Sequence, residues 1–322
     1  DRVPYCEIGV DRELAIKLLG WDQRNQPATK DLETMSYTID ESKEVAEHLR
    51  LDNISYLLRA PVFAEKTEGQ FGRKFYGDGL IKTEEDLEKI ELPDPHDPAL
   101  YEEAKQFADR KGEYAAFFVT RAGLFPAMLS MGYETFSIAL YENRSFLDKV
   151  LQRYFEWTST VAEHVCDLGF DVFVTTDDMA FKTGPLFSPQ VFREIAVPYY
   201  QELAKKITIP WFMHSDGNIL PLLDDWITFG IAGIHPLENG TMDIEMLKKE
   251  YGDKLCLLGN VDLNYLGSGA PERVDAEVKR LISILCPRGG YIVTSGNSLA
   301  SYLIPENVRA LSTAVQKYGV YE

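Results

Sequence analysis

Beyond residue 110 the chain repeats one pattern: a short apolar run, a polar or glycine-bearing turn, then an amphipathic stretch. The runs are YAAFFVT (114–120), FDVFVTTDD (170–178), IPWFMHSDG (209–217), GIAGIHPLENG (230–240), LCLLGNVD (255–262) and GYIVTSGNS (290–298). Their apolar residues are near-continuous rather than alternating, the pattern of parallel strands covered on both faces. Between and after them, helical periodicity predicts helices over 143–168, 188–207, 219–229, 243–251, 271–285 and 305–319. Ser188-Pro189 gives the second of these an N-cap with proline in the first turn. Strand and helix alternating at this spacing predict βα units.

The first hundred residues follow no such rhythm. VPYCEIGV (3–10) predicts a strand, 11–20 a short helix, and 38–50 a second helix capped by Asp40 or Ser42. ISYLLRAPVFAEKT (54–67) and FGRKFYGDGLIKT (71–83) predict a hairpin turning at Glu68-Gly69-Gln70. LPDPHDPAL (92–100), dense in proline and aspartate, is the clearest break. The expected organisation is therefore an N-terminal extension over 1–100, packed on a barrel body over 101–322. The expected fold class is α/β, a (β/α)8 TIM barrel whose extension contains the hairpin. An open doubly wound sheet is the alternative. The barrel is favoured because polar residues end strand after strand, while no GxGxxG or GxxxxGK[ST] turn marks a nucleotide crevice.

In such a barrel the strand C-termini converge on one mouth, so their polar residues are the candidate chemistry. They are Asp177 and Asp178; His214, Ser215 and Asp216; His235 and Glu238; Asn260 and Asp262; Ser295 and Asn297. Asp177, Asp178, His214 and Asn260 are the expected catalytic residues: the paired carboxylates hold a cation or take a proton, and His214 serves as ligand or acid/base. His214, Asp216 and Glu238 make a nitrogen and oxygen set suited to zinc. Glu7, His235, Ser295 and Asn297 are expected to bind substrate. Each has a plainer alternative: a packed histidine, a loop-capping aspartate, a surface carboxylate.

Composition narrows the partners. In 322 residues, 51 acidic against 33 basic side chains leave a formal charge of −18. That balance excludes nucleic acid as the main partner, because phosphate binding needs a basic patch. No apolar run reaches the ~18 residues that span a membrane, and the N-terminus shows no basic region leading an apolar core. The four cysteines form no CxxC or CxC pair, which predicts free thiols and a cytoplasmic chain. A small-molecule substrate and a monomer or homodimer complete the expectation.

RAGLFPAMLSMGYETF (121–136), Asp177-Asp178, GPLFSPQVFREIAVPYYQEL (184–203), HSDGNILPLLDDWITFGIAGIHPLE (214–238), LLGNVD (257–262), GYIVTSGNS and PENV (305–308) occur in that order. As an ordered set they resemble the uroporphyrinogen decarboxylase superfamily over roughly residues 110–320. The resemblance implies a (β/α)8 barrel with its site at the C-terminal mouth, and one of two chemistries. Its decarboxylases carry an N-terminal RQAGRY-like segment and a GHG-like final turn. Here the lead-in has no such segment, and the turn is Ser295-Gly296-Asn297-Ser298. Its corrinoid-linked methyltransferases hold zinc with HxC and a later cysteine, where this chain has His214-Ser215-Asp216 and Ser295 or Asn297. That set implies an oxygen-rich site of His214 with Asp178, Asp216 or Glu238. The expected function is cobamide-dependent transfer of a methyl group from a small O-methyl substrate, with zinc as metal and cobalamin carried by a partner protein. The alternative is a cofactor-free carboxy-lyase acting on a porphyrinogen or a smaller acid.

Overall fold

A computed structural model describes residues 1–22, 37–68 and 74–321. Among the described residues the strands of three residues or more are β1 (Asn53–Leu57), β2 (Ala64–Glu68), β3 (Lys74–Gly79), β4 (Ala115–Thr120), β5 (Val172–Thr176), β6 (Trp211–His214), β7 (Gly233–His235), β8 (Cys256–Val261) and β9 (Tyr291–Ser295), and a two-residue antiparallel pair, Ala180–Phe181 with Gly184–Pro185, lies outside the main sheet. β1 and β4 to β9 form one sheet in the order β1-β4-β5-β6-β7-β8-β9, with every neighbour parallel. The predicted TIM barrel is the observed fold, and β2 and β3 pair as the antiparallel hairpin. Its expected turn at Gly69-Gln70 lies outside the described residues.

The two edges of that sheet are joined by the start of the chain. Val293 N–H donates to the Pro4 carbonyl at 2.9 Å and Cys6 N–H to the Val293 carbonyl at 3.0 Å. On the other side Asp52 N–H donates to the Tyr5 carbonyl at 2.8 Å. The Asn53 side chain completes the seam: its Oδ1 accepts from Glu7 N–H at 3.0 Å and its Nδ2 donates to the Glu7 carbonyl at 2.9 Å. Across the seam the Glu7 carboxylate accepts from Ser295 N–H (2.9 Å) and Ser295 Oγ–H (2.7 Å). Residues 3–7 thus fill the eighth strand position, between β9 and β1. The composition break near residue 100 does not divide the sheet, since both the opening segment and β1 precede it.

Each strand has two buried faces, which is why its apolar run does not alternate. Cys6, Phe117, Val119, Val172, Val174, Phe212 and Leu258 form an inner cluster. Their neighbours, among them Phe118 and Phe173, belong to the larger outer core under the helices. The long helix Arg144–Val165 begins at Asn143, whose side chain accepts from Phe146 N–H, and buries Leu147, Val150, Leu151, Tyr154, Val161 and Val165. The 38–50 helix spans Ile39–Leu49, and Thr38, not Asp40 or Ser42, caps it in a capping box with Glu41. The 188–207 stretch breaks into Pro189–Ile195 and Val197–Ala204, because Pro198 offers no N–H to the preceding turn. Two helices the pattern did not give, Leu124–Met131 and Tyr133–Glu142, follow β4. Gly79 lets the hairpin close on them: a Cβ there would lie 2.2 Å from the Gly132 nitrogen. All four cysteines are free, and no helix among the described residues is long and apolar enough to cross a membrane.

Two tests follow from the seam. Asn53→Ala leaves the Glu7 N–H without its buried acceptor, so urea denaturation should report a loss of roughly 2–4 kcal/mol; an unchanged midpoint would mean the seam bears no load. Burial pushes the Glu7 carboxyl up to about 8 against the two Ser295 bonds. The folded chain therefore keeps this proton while the unfolded chain loses it, and stability falls as pH rises from about 4.5 to about 8, levelling above. The Glu7→Gln variant lacks that slope. Its melting temperature should gain on that of the unmodified protein between pH 5 and pH 8, and a constant difference across that range contradicts the assignment.

Candidate active site at the barrel mouth

Strand register sets which residues meet. Thr176 pairs with His214, and His214 with His235. Continuing the pairings Leu57–Val119 and Thr120–Thr175 by one or two residues places Arg59, Arg121 and Thr176 at the same level. One layer of the mouth therefore carries Arg59, Arg121, Thr176, His214 and His235, from five adjacent strands. A cavity of about 410 Å³ opens there, and Glu7, Arg59, Arg121, Asp178, His214 and Asn297 are among its lining residues.

Asp178, His214 and Asp216 offer one ligand atom each, all within 4.8 Å of one another. His214 Nε2 lies 3.6 Å from Asp178 Oδ1 and 4.0 Å from Asp216 Oδ1. Asp216 N–H donates to Asp178 Oδ1 at 3.1 Å, and Asn297 Nδ2 donates to Asp216 Oδ2 at 2.7 Å. Asp216 Oδ1 is buried without a hydrogen-bond partner. Burial pushes the Asp216 carboxyl up to about 6; His214 opposes the shift, and Asp178 and Glu238 add to it.

Behind His214 stands His235, fully buried, with the two Nδ1 atoms 2.7 Å apart. Burial, with His214 beside it, holds His235 well below the usual imidazole range, so it is neutral. The two Nδ1 atoms share one proton and either ring can donate it; with His214 as donor, its Nε2 lone pair faces Asp178 and Asp216. That is the outer-partner arrangement that fixes a ligating imidazole.

The expected site residues divide accordingly. Asp178, His214, Asp216 and Asn297 meet at the mouth. Glu238 does not join the group: its Oε2 accepts from Gly217 N–H at 2.8 Å, and its Oε1 lies 3.3 Å from Lys182 Nζ. Asp177 is fully buried and accepts from Tyr200 Oη–H (2.7 Å), Ala122 N–H (3.3 Å) and Gly123 N–H (3.4 Å), so it braces the β4 turn rather than facing substrate. Burial raises its carboxyl to about 6, against the Tyr200 bond and the Arg121 charge. Asn260 is buried with its Nδ2 on the Leu237 carbonyl, and Ser295 is spent on Glu7. Asp262 caps the helix Leu263–Ser268. Arg59 and Arg121 were not among the expected residues. Each ends an apolar run, the signal that marked Asp177 and Asp178, but Arg59 fell inside the expected hairpin.

Comparison with known proteins places this geometry. The family model "Uroporphyrinogen decarboxylase (URO-D)" matches residues 76–318. Uroporphyrinogen decarboxylases of Pseudoalteromonas atlantica and Aromatoleum aromaticum are 27% and 28% identical over 152 and 146 residues, 44% and 42% of this chain. Those matches span 41% and 39% of the relatives' own lengths. A methyltransferase from Methanosarcina mazei has the same fold, with TM-score 0.75 and 19% identity over 99% of this chain and 94% of its own. A B12-independent methionine synthase from Shewanella sp. W3-18-1 is more distant, with TM-score 0.56 and 10% identity over 98% of each chain. With the model covering most of its barrel, the chain belongs to the uroporphyrinogen decarboxylase family.

Proposed function

We propose that this protein is a methyltransferase that removes a methyl group from the oxygen of a small substrate and passes it to a corrinoid carried by a partner protein. The observation that carries this reading is the Asp178–His214–Asp216 group at the edge of the cavity. Demethylating an ether breaks a C–O bond heterolytically: the carbon leaves without the electron pair, which stays on oxygen. Alkoxide and phenolate leave slowly unless that charge is neutralised as it forms.

The three side chains fit a divalent cation of the zinc class. They supply two oxygens and one nitrogen, Asp216 Oδ1 is a buried acceptor lacking a donor, and three protein ligands with an open position is the usual catalytic arrangement. Such a cation, when bound, supplies Lewis-acid charge to the leaving oxygen. The protein's own part is positional. His235 fixes the His214 ring, Asn297 fixes Asp216, and the Asp216 N–H fixes Asp178. A cavity of about 410 Å³ is in the range for small-molecule sites. Reduced corrinoid requires a reducing compartment, in keeping with four free thiols, and we place the chain in the cytoplasm.

A cofactor-free carboxy-lyase is the second reading, favoured by the names of the curated relatives. Under the methyltransferase reading, incubation with uroporphyrinogen releases no carbon dioxide; stoichiometric release would replace it. Elemental analysis of untagged protein should find about one zinc per chain, falling by ~10-fold or more in His214→Ala. Methyl transfer from a panel of methyl ethers to cob(I)alamin should fall by a similar or larger factor in the same variant. Full transfer by metal-free protein would defeat the metal assignment.

A further inference from the structure

The barrel wall is open on one flank of its seam. Residues 3–7 are tied to both edges of the sheet, but beyond Glu7 the chain turns to the segment that follows β9. Leu299 N–H donates to the Gly9 carbonyl at 3.0 Å, and Asp11 N–H to the Leu299 carbonyl at 2.7 Å. Among the described residues no backbone hydrogen bond joins Ile8, Gly9, Val10 or Asp11 to β1. The cavity takes up this gap, for its lining residues lie on both sides of the wall. From Asp178, His214 and Asn297 at the mouth it passes Ile8 and Leu57, which pack on the inner cluster. It then reaches Val45, Leu51 and Ile54, which belong to the outer core beneath the helix Ile39–Leu49.

The polar groups along this arm are mostly engaged within the protein. Ser295 holds the Glu7 carboxylate, and Asp11 Oδ2 accepts from Ser301 N–H at 2.9 Å. Ser55 Oγ–H donates to the Glu7 carbonyl at 3.3 Å, and Tyr37 Oη–H to the Val10 carbonyl at 3.0 Å. Ser42 Oγ, in the wall beside Val45, is buried with no hydrogen-bond partner. An apolar group placed against Val45, Leu51 and Ile54 gains the transfer free energy of its surface, whereas a charged one loses its water without a partner. Size points the same way. The reacting end of a methyl ether is a methyl and an oxygen, yet the cavity holds about 410 Å³, against the ~30 Å³ that one water takes in the liquid.

We infer that the arm through the seam is a specificity pocket for the body of the substrate. The substrate is a methyl ether whose remainder is an uncharged apolar group, reaching past Ile8 and Leu57 to Val45, Leu51 and Ile54. This names the substrate class for the site proposed above, and it rests on that site binding the methyl end. Binding is measured without metal or corrinoid, so the pocket can fail while methyl transfer stands, and the reverse.

Ligand-observed NMR titration with anisole, para-propylanisole and para-methoxyphenylpropanoate decides it. The propyl ether should bind roughly tenfold or more tightly than anisole, since each methylene moved from water to an apolar wall gives a factor of roughly three to four. Val45→Phe fills the arm and should bring the two ethers to within about threefold of one another, with anisole changed by less than about twofold. If that variant does not fold, Val45→Ala serves. It lengthens the arm, so para-pentylanisole should gain on para-propylanisole by about threefold or more over their ratio in the unmodified protein. Equal binding of anisole and para-propylanisole, or no binding of either up to its solubility limit, overturns the inference. So does a propyl preference that survives Val45→Phe, or an unchanged pentyl-to-propyl ratio in Val45→Ala. Tighter binding of the propanoate than of para-propylanisole overturns the uncharged assignment.

Discussion

Closure of the barrel by residues 3–7 is the constraint on which the rest of the molecule depends. A parallel sheet with an open edge leaves a row of unpaired N–H and C=O groups and lets its strand ends splay. Here the gap is filled by a short segment with side-chain help on both sides: the Asn53 amide holds the Glu7 backbone, and Ser295 holds the Glu7 carboxylate. The Ser295 contact lies at the C-terminal end of β9 and the Asn53 contact at the first residue of β1, so the opening segment ties the two edges of the sheet together.

Residues that look alike in sequence do different work on this frame. Asp177 and Asp178 are consecutive, so in extended backbone they point to opposite faces. The first turns toward the helical layer and braces the β4 turn through Ala122, Gly123 and Tyr200, while the second faces the cavity. His214 and His235 are likewise paired in register but split by depth, the inner one neutral and the outer one free to present Nε2. Burial separates the members of each pair more than residue type does.

The mouth is also divided by charge. The two arginines come from strands next to one another, and the Asp178–His214–Asp216 group comes from the next strand ends around the ring. Neighbouring strands thus present opposite charges to one small volume.

The sequence by itself determined the α/β class and the barrel, because apolar runs buried on two faces and helices with one apolar stripe leave a period in the chain. It also determined that Asp178, His214, Asp216 and Asn297 lie near one end of the sheet, since each directly follows such a run. Tertiary structure alone decided which neighbours face inward and which distant groups become partners. Nothing local tells Asp177 from Asp178, or shows that Glu7 and Ser295, 288 residues apart, share protons. The opening segment looked like an appendage for the same reason: a strand's place in a closed barrel is set by hydrogen bonds to residues far along the chain, which leave no periodicity in its own sequence. Arg59 and Arg121 joined the site only once register had put their strand ends level with His214.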